Sequence, residues 1–458
     1  MTTRPFDVSG RRVVVMGAGR SGRAAVDLLL SRGAIVSLVD SRSVIDGADD
    51  LRARGVTVHA GPGVGGAIGD ADLIVVSPGI AVDEPSVAAA RARGAVVIGE
   101  IELAFRHLEG RVVAVTGTKG KSTTTTVATL MLRAGGVDAT AGGNLGVALS
   151  SFVDASTPGT VHVVEVSSFQ LETIDTFHPW IAVFVNLEPD HLDRHGSFEA
   201  YRAAKARVFQ RQTADDWAVV NADDAAVVEL ARATKARRFD FGFDTTIVDG
   251  ITVEGDMVVE RRGGVSHRVM PVSVVHLPGR HLLADVLAAT AVARIAGVDP
   301  EAIASAVRAF DGLEHALERV ATIDGVMFVN DSKATNVIAV RRAIESFAGG
   351  VVPIMGGRDK GGAFADLRQV LRARAAGVVL IGESAALIEE AIGGVVPTER
   401  ASSMEDAVLR ARRLAPPEGV VVLAPGCSSF DMFIDYGARG RAFKAAVHAL
   451  ADSASTAV

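Results

Sequence analysis

Cysteine is almost absent: Cys427 is the only one in 458 residues. That excludes an internal disulfide framework and fits a reducing compartment, so a cytoplasmic setting is expected. Long apolar runs are missing as well. No uninterrupted apolar segment reaches the roughly 20 residues of a membrane span. The N-terminal Met1-Thr-Thr-Arg-Pro-Phe6 leads into a strand-like run without a signal-peptide stretch. Nor is there an excess of positive charge. A formal net charge of -7 gives no basis for non-specific binding to nucleic acid or to an anionic membrane surface. Small-molecule partners are expected, and a monomer. Lysine is scarce too: only seven of the 47 basic residues are lysine. Five of them, Lys119, Lys121, Lys205, Lys333 and Lys360, fall inside the motifs described below. Where mere charge would suffice this chain uses arginine, so these positions call for the compact, pKa-tunable ammonium that arginine cannot offer.

What is present is a recurring alternation. Short β-branched runs (Val13–Met16, Ile35–Val39, Leu73–Val76, Val112–Val115, Val163–Val166, Ala182–Val185, Val326–Val329, Val351–Ile354, Val378–Ile381 and Val421–Leu423) each end in a polar or glycine turn followed by a helical pattern. Continuous apolar strands alternating with helices indicate parallel sheets covered on both faces, with ligands beyond the carboxyl ends of the strands. The length suggests two to four domains. Three α/β units are expected, at residues 1–98, 99–312 and 313–458, the first ending before the helical stretch Gly99–Leu108. Residues 240–275, glycine-rich with alternating valines and charges, read as antiparallel hairpins inserted in the middle unit.

Two glycine loops carry the chemistry. The strand Val13–Met16 feeds Gly17-Ala-Gly19-Arg-Ser-Gly22, and the next strand ends at Asp40. By spacing this is a dinucleotide fingerprint, with glycines for close backbone approach, a helix N-terminus for phosphate and an acid on the second strand. It is compatible with a nicotinamide cofactor, with another nucleotide diphosphate, or with a purely structural turn. Ser77-Pro-Gly79 ends a later strand as a further phosphate-facing loop. The second loop, Thr116-Gly-Thr-Lys-Gly-Lys-Ser-Thr123, is shorter than the general P-loop, with Val115 where that pattern needs glycine. Its backbone N–H groups can cradle phosphates, Lys121 can reach the β/γ-phosphates, and Ser122 or Thr123 can hold Mg²⁺. A triphosphate loop and a second nucleotide-type loop argue against a plain dehydrogenase.

The block Thr116–Thr123 resembles the signature of the Mur ligase family, which is shared with the folylpolyglutamate synthetases. Further segments match in order: Gly142-Gly-Asn-Leu-Gly146, Glu165-Val-Ser-Ser-Phe-Gln-Leu-Glu-Thr173, Asn186-Leu-Glu-Pro-Asp-His-Leu-Asp-Arg-His195 and Tyr201-Arg-Ala-Ala-Lys-Ala-Arg207. Asn330-Asp-Ser-Lys-Ala-Thr-Asn336 and Pro425-Gly-Cys-Ser-Ser-Phe-Asp-Met-Phe433 look like the D-glutamate-adding member in particular. The resemblance implies a Rossmann-like N-terminal domain, a central P-loop-type ATP-binding parallel sheet and a Rossmann-like C-terminal domain. It also implies ATP-dependent ligation of D-glutamate to UDP-N-acetylmuramoyl-L-alanine in peptidoglycan precursor synthesis, through an acyl-phosphate and a tetrahedral intermediate.

Residue roles follow from the same resemblance. Gly117, Thr118, Lys119, Gly120, Lys121, Ser122 and Thr123 would hold ATP. Glu165 and Ser122 or Thr123 would bind one Mg²⁺, with His191 and a carbamylated Lys205 at a second. Ser21, Ser41, Arg42, Gly79 and Asn144 would contact the UDP-sugar. Asp331 would lie near the ribose and Lys333 near phosphate and carboxylate, while Thr335, Lys360, Ser429, Phe430 and Tyr436 would form the D-glutamate pocket. Spreading these sites over three units implies domain closure.

Two departures stand out. In Gly279-Arg-His-Leu-Leu-Ala-Asp285, Leu282 and Asp285 replace family asparagines, so Asp285 approaches the adenine region without an amide donor. At His315-Ala316 the family arginine near the γ-phosphate is missing, and Arg319, about one helical turn on, is the candidate substitute. Cys427 is expected to pack as a small apolar residue. The competing readings are another Mur ligase adding L-alanine or a diamino acid, a folylpolyglutamate synthetase, a Rossmann oxidoreductase and a non-catalytic nucleotide-binding scaffold.

Overall fold

The computed structural model describes residues 6–456 apart from 82, 245 and 360. Three sheets carry the chain. The first is five-stranded and wholly parallel, in the order Thr57–Ala60, Ile35–Asp40, Arg12–Met16, Leu73–Val76 and Val96–Gly99. Its central strands are buried valine and leucine runs, as helices on both faces require.

The second sheet has nine strands: Val265–Pro271, Met257–Arg262, Gly250–Glu254, Arg237–Phe241, Trp217–Asn221, Ile181–Phe184, Arg111–Thr116, Val161–Glu165 and Ala139–Gly143. The expected antiparallel hairpins are its edge and not a separate insertion. Gly250–Glu254 first pairs parallel to Arg237–Phe241 at Asp240 and Phe241, and only then does the chain reverse through two antiparallel pairings. The third sheet is six-stranded, in the order Glu318–Ile323, Val326–Asn330, Val420–Gly426, Val351–Gly356, Val378–Ile381 and Thr398–Ala401. Only its first strand is antiparallel.

The chain divides into two compact units, Met1–Val274 with Ala284–Val307, and Val275–Leu283 with Arg308–Val458. The division falls inside the helix Arg280–Ile295. In the first unit one apolar core runs from Val13, Leu29 and Leu73 of the five-stranded sheet to Val112, Phe177 and Phe184 of the nine-stranded one. The short helix Glu100–Phe105 joins them. Its Glu102 is completely buried and accepts hydrogen bonds from the backbone N–H groups of Asp175, Thr176 and Phe177 and from the Arg106 guanidinium. A buried carboxylate this fully satisfied is held well in place. In the second unit the helices pack on both faces of the six-stranded sheet, on cores built around Val340, Phe364 and Leu371 and around Phe328, Val408 and Phe443. Among the described residues no helix is long and apolar enough to cross a membrane.

Candidate active site

The loop after the strand Arg111–Thr116 is shaped by its glycines and by one asparagine. Gly120 has φ +80°, and a Cβ there would lie 2.1 Å from a carboxylate oxygen of Asp285, so only glycine fits. Gly120 caps the helix Lys121–Ala134 without side-chain help, leaving the helix N-terminus open to an anion. Asn186, just past the strand Ile181–Phe184, accepts from the Thr118 and Lys119 N–H groups at 3.1 and 2.9 Å and donates to the Lys119 carbonyl. Thr118 Oγ1 donates to the Glu188 carbonyl at 3.1 Å and lies 3.0 Å from the Tyr201 hydroxyl. Burial pushes the Tyr201 phenol up to about 12, against the Thr118 hydrogen bond. Asn186 and Tyr201 head two of the matching segments, but the sequence assigns neither a role. The signal for Asn186 was a lone amide immediately after a buried strand in the ligand-facing position.

Around this loop the sequence-selected residues converge. Lys121 Nζ folds back onto the Gly117 and Thr118 carbonyls at 3.1 and 3.0 Å. Glu165, ending the strand Val161–Glu165, accepts from Ser122 Oγ at 2.7 Å with one oxygen and from Asn144 Nδ2 at 2.7 Å with the other. Thr123 is buried one residue on. Lys205 is 1% exposed. Its Nζ donates to the Gly117 carbonyl at 2.6 Å and lies 5.0 Å from the centre of the Tyr201 ring. Burial holds its pKa well below the ordinary lysine value, and the neighbouring Lys121 ammonium lowers it further, against the pull of Asp190 and Glu165. His191 has a left-handed backbone (φ 52°), and its Nε2 stands 3.9 Å from Asp190, which is also 3.7 Å from Lys119.

The sparse oxygen set at Ser122 and Glu165, beside an open helix N-terminus, suits Mg²⁺, which keeps waters and shares phosphate oxygens with one or two carboxylates. Among the described residues no group of three or more His, Cys, Asp or Glu forms a closed metal cage.

The first glycine loop lies at the carboxyl rim of the five-stranded sheet, in the same unit. Gly22 packs so closely on the turn that a Cβ there would sit 1.8 Å from the Gly17 carbonyl oxygen. The helix Arg20–Ser31 starts without a side-chain cap, with Ser21 half-buried and Ser41 and Arg42 exposed nearby in sequence to the strand end. Asp40 is occupied: Ala18 N–H donates to it at 2.7 Å and Arg42 clamps both its oxygens at 2.9 and 2.8 Å. The Arg42 guanidinium holds this carboxyl well below the usual carboxylate range. An acid already satisfied by a fork of donors is poorly placed to accept a ribose diol, which counts against the nicotinamide reading of this loop. Ser77 Oγ donates to the Gly17 carbonyl at 3.4 Å, and the Gly79 carbonyl accepts from Arg194.

The second unit gathers its own group at the carboxyl ends of the adjacent strands Val326–Asn330 and Val420–Gly426. Asp331 accepts from the Leu317 N–H at 3.2 Å, and its surroundings push its carboxyl up to about 7, against Leu317 and Lys333. Lys333 is exposed and Thr335 half-buried. The buried Arg439 ties the two loops together, donating to Ser332 Oγ at 3.0 Å, the Ser332 carbonyl at 2.9 Å and the Cys427 carbonyl at 3.1 Å. Ser429 is buried, whereas Phe430 and Tyr436 are 63% and 46% exposed. Residue 360 lies outside the described residues. Cys427 is buried as expected, and burial pushes its thiol up to about 11.

Arg319 lies on the strand Glu318–Ile323 and not one helical turn beyond Ala316, and its guanidinium donates to Thr322 Oγ1 at 3.0 Å. Its backbone pairs with Val329, two residues before Asp331, whereas Thr322 pairs with Met327 toward the far end of that strand. Leu282 packs in the apolar core of its own unit.

Open helix N-termini at the carboxyl rims of parallel sheets, with a buried amine beside one, define a nucleotide-handling α/β protein. The model for the Mur ligase MurD-like N-terminal domain matches residues 11–99, the Mur ligase middle domain residues 115–293, and the Mur ligase glutamate ligase domain residues 315–427. The UDP-N-acetylmuramoylalanine–D-glutamate ligase of Koribacter versatilis (strain Ellin345) is 43% identical over 450 residues, covering 98% of this chain and 99% of that relative. The protein of the same name from Acidobacterium capsulatum is 44% identical over 444 residues, covering 96% of each. The chain belongs to the Mur ligase family. Among solved structures, the UDP-N-acetylmuramate–alanine ligase of Thermotoga maritima superposes with a TM-score of 0.60 at 18% identity, over 96% of this chain and all of that one. The type C pseudomurein peptide ligase of Methanothermus fervidus gives 0.59 at 17% identity over the same shares. These two likenesses show the common fold.

Proposed function

We propose that this chain joins D-glutamate to UDP-N-acetylmuramoyl-L-alanine at the expense of ATP. The observation that carries the reading is the convergence, at the rim of one parallel sheet, of Lys121, Ser122, Glu165 and a buried, pKa-lowered Lys205, in a chain akin from end to end to D-glutamate ligases. In this reaction the alanine carboxylate attacks the γ-phosphorus of ATP, the bond to the bridging oxygen breaks, and ADP leaves. The amine nitrogen of D-glutamate then bonds to the acyl carbon. The tetrahedral intermediate collapses with loss of phosphate, and the nitrogen gives up a proton. Catalysis consists of positioning and of charge set where phosphoryl oxygens carry it.

The residues divide that work as follows. Asn186 takes the Thr118 and Lys119 N–H groups and so sets the loop, the N–H groups from Gly120 to Thr123 at the open helix N-terminus cradle the phosphates, and Lys121 turns from its own loop carbonyls to the phosphate oxygens. Lys119 adds positive charge at the same loop, and Asp285 lies beside Gly120 toward the nucleotide. Magnesium, when bound, supplies neutralisation of the phosphate oxygens. Ser122 or Thr123 with Glu165 would hold one ion, and His191 with carbamylated Lys205 a second. A neutral Lys205 amine can add to CO₂, losing one proton to give a carbamate. Its lowered pKa supports that modification at ordinary pH. Ser21, Ser41, Arg42, Gly79 and Asn144 are assigned to the UDP-sugar. In the second unit Asp331 is assigned to the nucleotide, Lys333 to phosphate and carboxylate, and Thr335, Lys360, Ser429, Phe430 and Tyr436 to D-glutamate. Arg319 is the weakest member of the nucleotide set, since its guanidinium is engaged with Thr322.

The test is phosphate release from ATP and Mg²⁺ in the presence of UDP-N-acetylmuramoyl-L-alanine, with D-glutamate, L-glutamate, L-alanine and diaminopimelate compared as acceptors. Release with D-glutamate alone is expected. Release with another acceptor keeps the chemistry and overturns the substrate, and no release with any acceptor overturns both.

A further inference from the structure

We propose that Arg194 is a positioning residue that links the first glycine-loop rim to the turn carrying His191, so that filling one rim helps set the other. The inference rests on the ligase reading above.

His191 precedes a helix of a single turn, Leu192–His195, bounded by left-handed residues at His191 and Gly196. Backbone bonding does little to fix so short a piece: the Arg194 and His195 N–H groups both return to the His191 carbonyl. Side chains therefore hold the turn. On one side the His195 ring stacks on Phe169 at 5.2 Å, with Nε2 3.0 Å from Ser168 Oγ and Nδ1 3.1 Å from Glu172. The same Phe169 ring lies 5.0 Å from the His191 ring and 5.0 Å from the Arg194 guanidinium carbon.

On the other side Arg194 reaches the five-stranded sheet. Its two terminal nitrogens donate to the Gly79 carbonyl at 3.2 Å and the Ile80 carbonyl at 2.7 Å. That turn rests on the first glycine loop through Ser77, whose Oγ would be 2.6 Å from a Cβ on Gly17. A continuous line of contacts thus runs from Gly17 through Ser77, Gly79 and Ile80 to Arg194 and His191. Ser77, Pro78, Ile80, Glu100, Phe169 and Gln170 line a small cleft beside that turn. The buried Glu100 Oε2 has no hydrogen-bond partner among the described residues. Arg194 spans the junction with a two-nitrogen fork on the Gly79 and Ile80 carbonyls and its guanidinium carbon over the Phe169 ring, a geometry that a lysine of equal charge cannot reproduce.

Coupling between two ligands is reciprocal and is read as a ratio of affinities, which loss of a merely structural contact does not change selectively. The experiment is calorimetric titration of the full chain with UDP-N-acetylmuramoyl-L-alanine, with and without a non-hydrolysable ATP analogue and Mg²⁺. In the wild type the nucleotide should change the affinity by about fivefold or more. In Arg194→Ala and Arg194→Lys the ratio should fall close to one while thermal unfolding is unchanged. Should Arg194→Ala fail to fold, Arg194→Lys carries the same test. A wild-type ratio of one, or a variant ratio equal to the wild type's, overturns the proposal. A wild type that binds neither ligand overturns the ligase reading and the proposal with it.

Discussion

Replacing Lys205 by methionine removes an amine that is 1% exposed and whose pKa is held well below the ordinary 10.5 by burial and by Lys121. Between the lowered folded value and 10.5 the unfolded chain binds one more proton at this position than the folded chain. Wild-type stability therefore rises with pH through that window and levels off once pH exceeds the unfolded value. The slope for one proton is about 1.4 kcal/mol per pH unit. On raising the pH from about 8.5 to about 9.5 the wild type should thus gain stability that Lys205→Met does not gain, by at most roughly 1.4 kcal/mol. The measurement is urea unfolding of both proteins at both pH values in CO₂-free buffer. It can be followed by the fluorescence of Trp180 and Trp217, the only two tryptophans. Both lie in the unit that contains Lys205. Taking the difference between proteins cancels every other titrating group. Equal slopes would mean that Lys205 titrates as an ordinary lysine, and the neutral amine needed for carbamate formation would be gone. The activity counterpart is loss of phosphate release in Lys205→Ala with rescue by short carboxylic acids. A fully active Lys205→Ala would contradict the role.

Three further outcomes are expected. Glu165→Gln removes the charge shared by Ser122 and Asn144 and should slow phosphate release by about 100-fold while raising the Mg²⁺ concentration needed, measured by a Mg²⁺ titration of initial rates. Gly22→Ala places a Cβ 1.8 Å from the Gly17 carbonyl and should cost about 1–3 kcal/mol, seen as a lower melting temperature and weaker UDP-sugar binding with ATP binding retained. Asp331 has its carboxyl raised from 3.8 to about 7, so the folded state binds the extra proton and wild-type stability of the second unit falls as pH rises through that range. Asp331→Asn should remove up to roughly 4 kcal/mol of that fall (about 3 units at 1.36 kcal/mol each), checked by chemical unfolding at pH 4 and pH 8.

Much of this was legible because buried parallel strands announce themselves. The runs Val13–Met16, Val112–Val115 and Val378–Ile381 lie inside observed strands that differ from them by a residue at most at either end. Three of the strands not picked out lack that signal. Thr57–Ala60 and Thr398–Ala401 are edge strands with half-exposed, mixed polar sequences, and Ala139–Gly143 is alanine and glycine at the far edge of its sheet. Arg319 was misplaced because a charged residue between two loops carries no periodicity, whereas pairing with Val329 puts it on a strand.

The same limit applies to the site. The glycine loops and the lysines within them could be read because their spacing is local. The support could not. Asn186 meets Lys119 across 67 residues, Glu102 meets Thr176 across 74, and Arg194 meets Gly79 across 115. Only the folded chain brings these pairs together.

The most direct test of the account uses UDP-N-acetylmuramoyl-L-alanine labelled with oxygen-18 in its alanine carboxylate, incubated with the chain, ATP, Mg²⁺ and D-glutamate, with the products analysed by mass spectrometry. The account predicts a D-glutamyl amide product and one carboxylate oxygen-18 carried into the released phosphate for each amide bond formed. Phosphate free of the label, or label transfer only with a different acceptor, would contradict it.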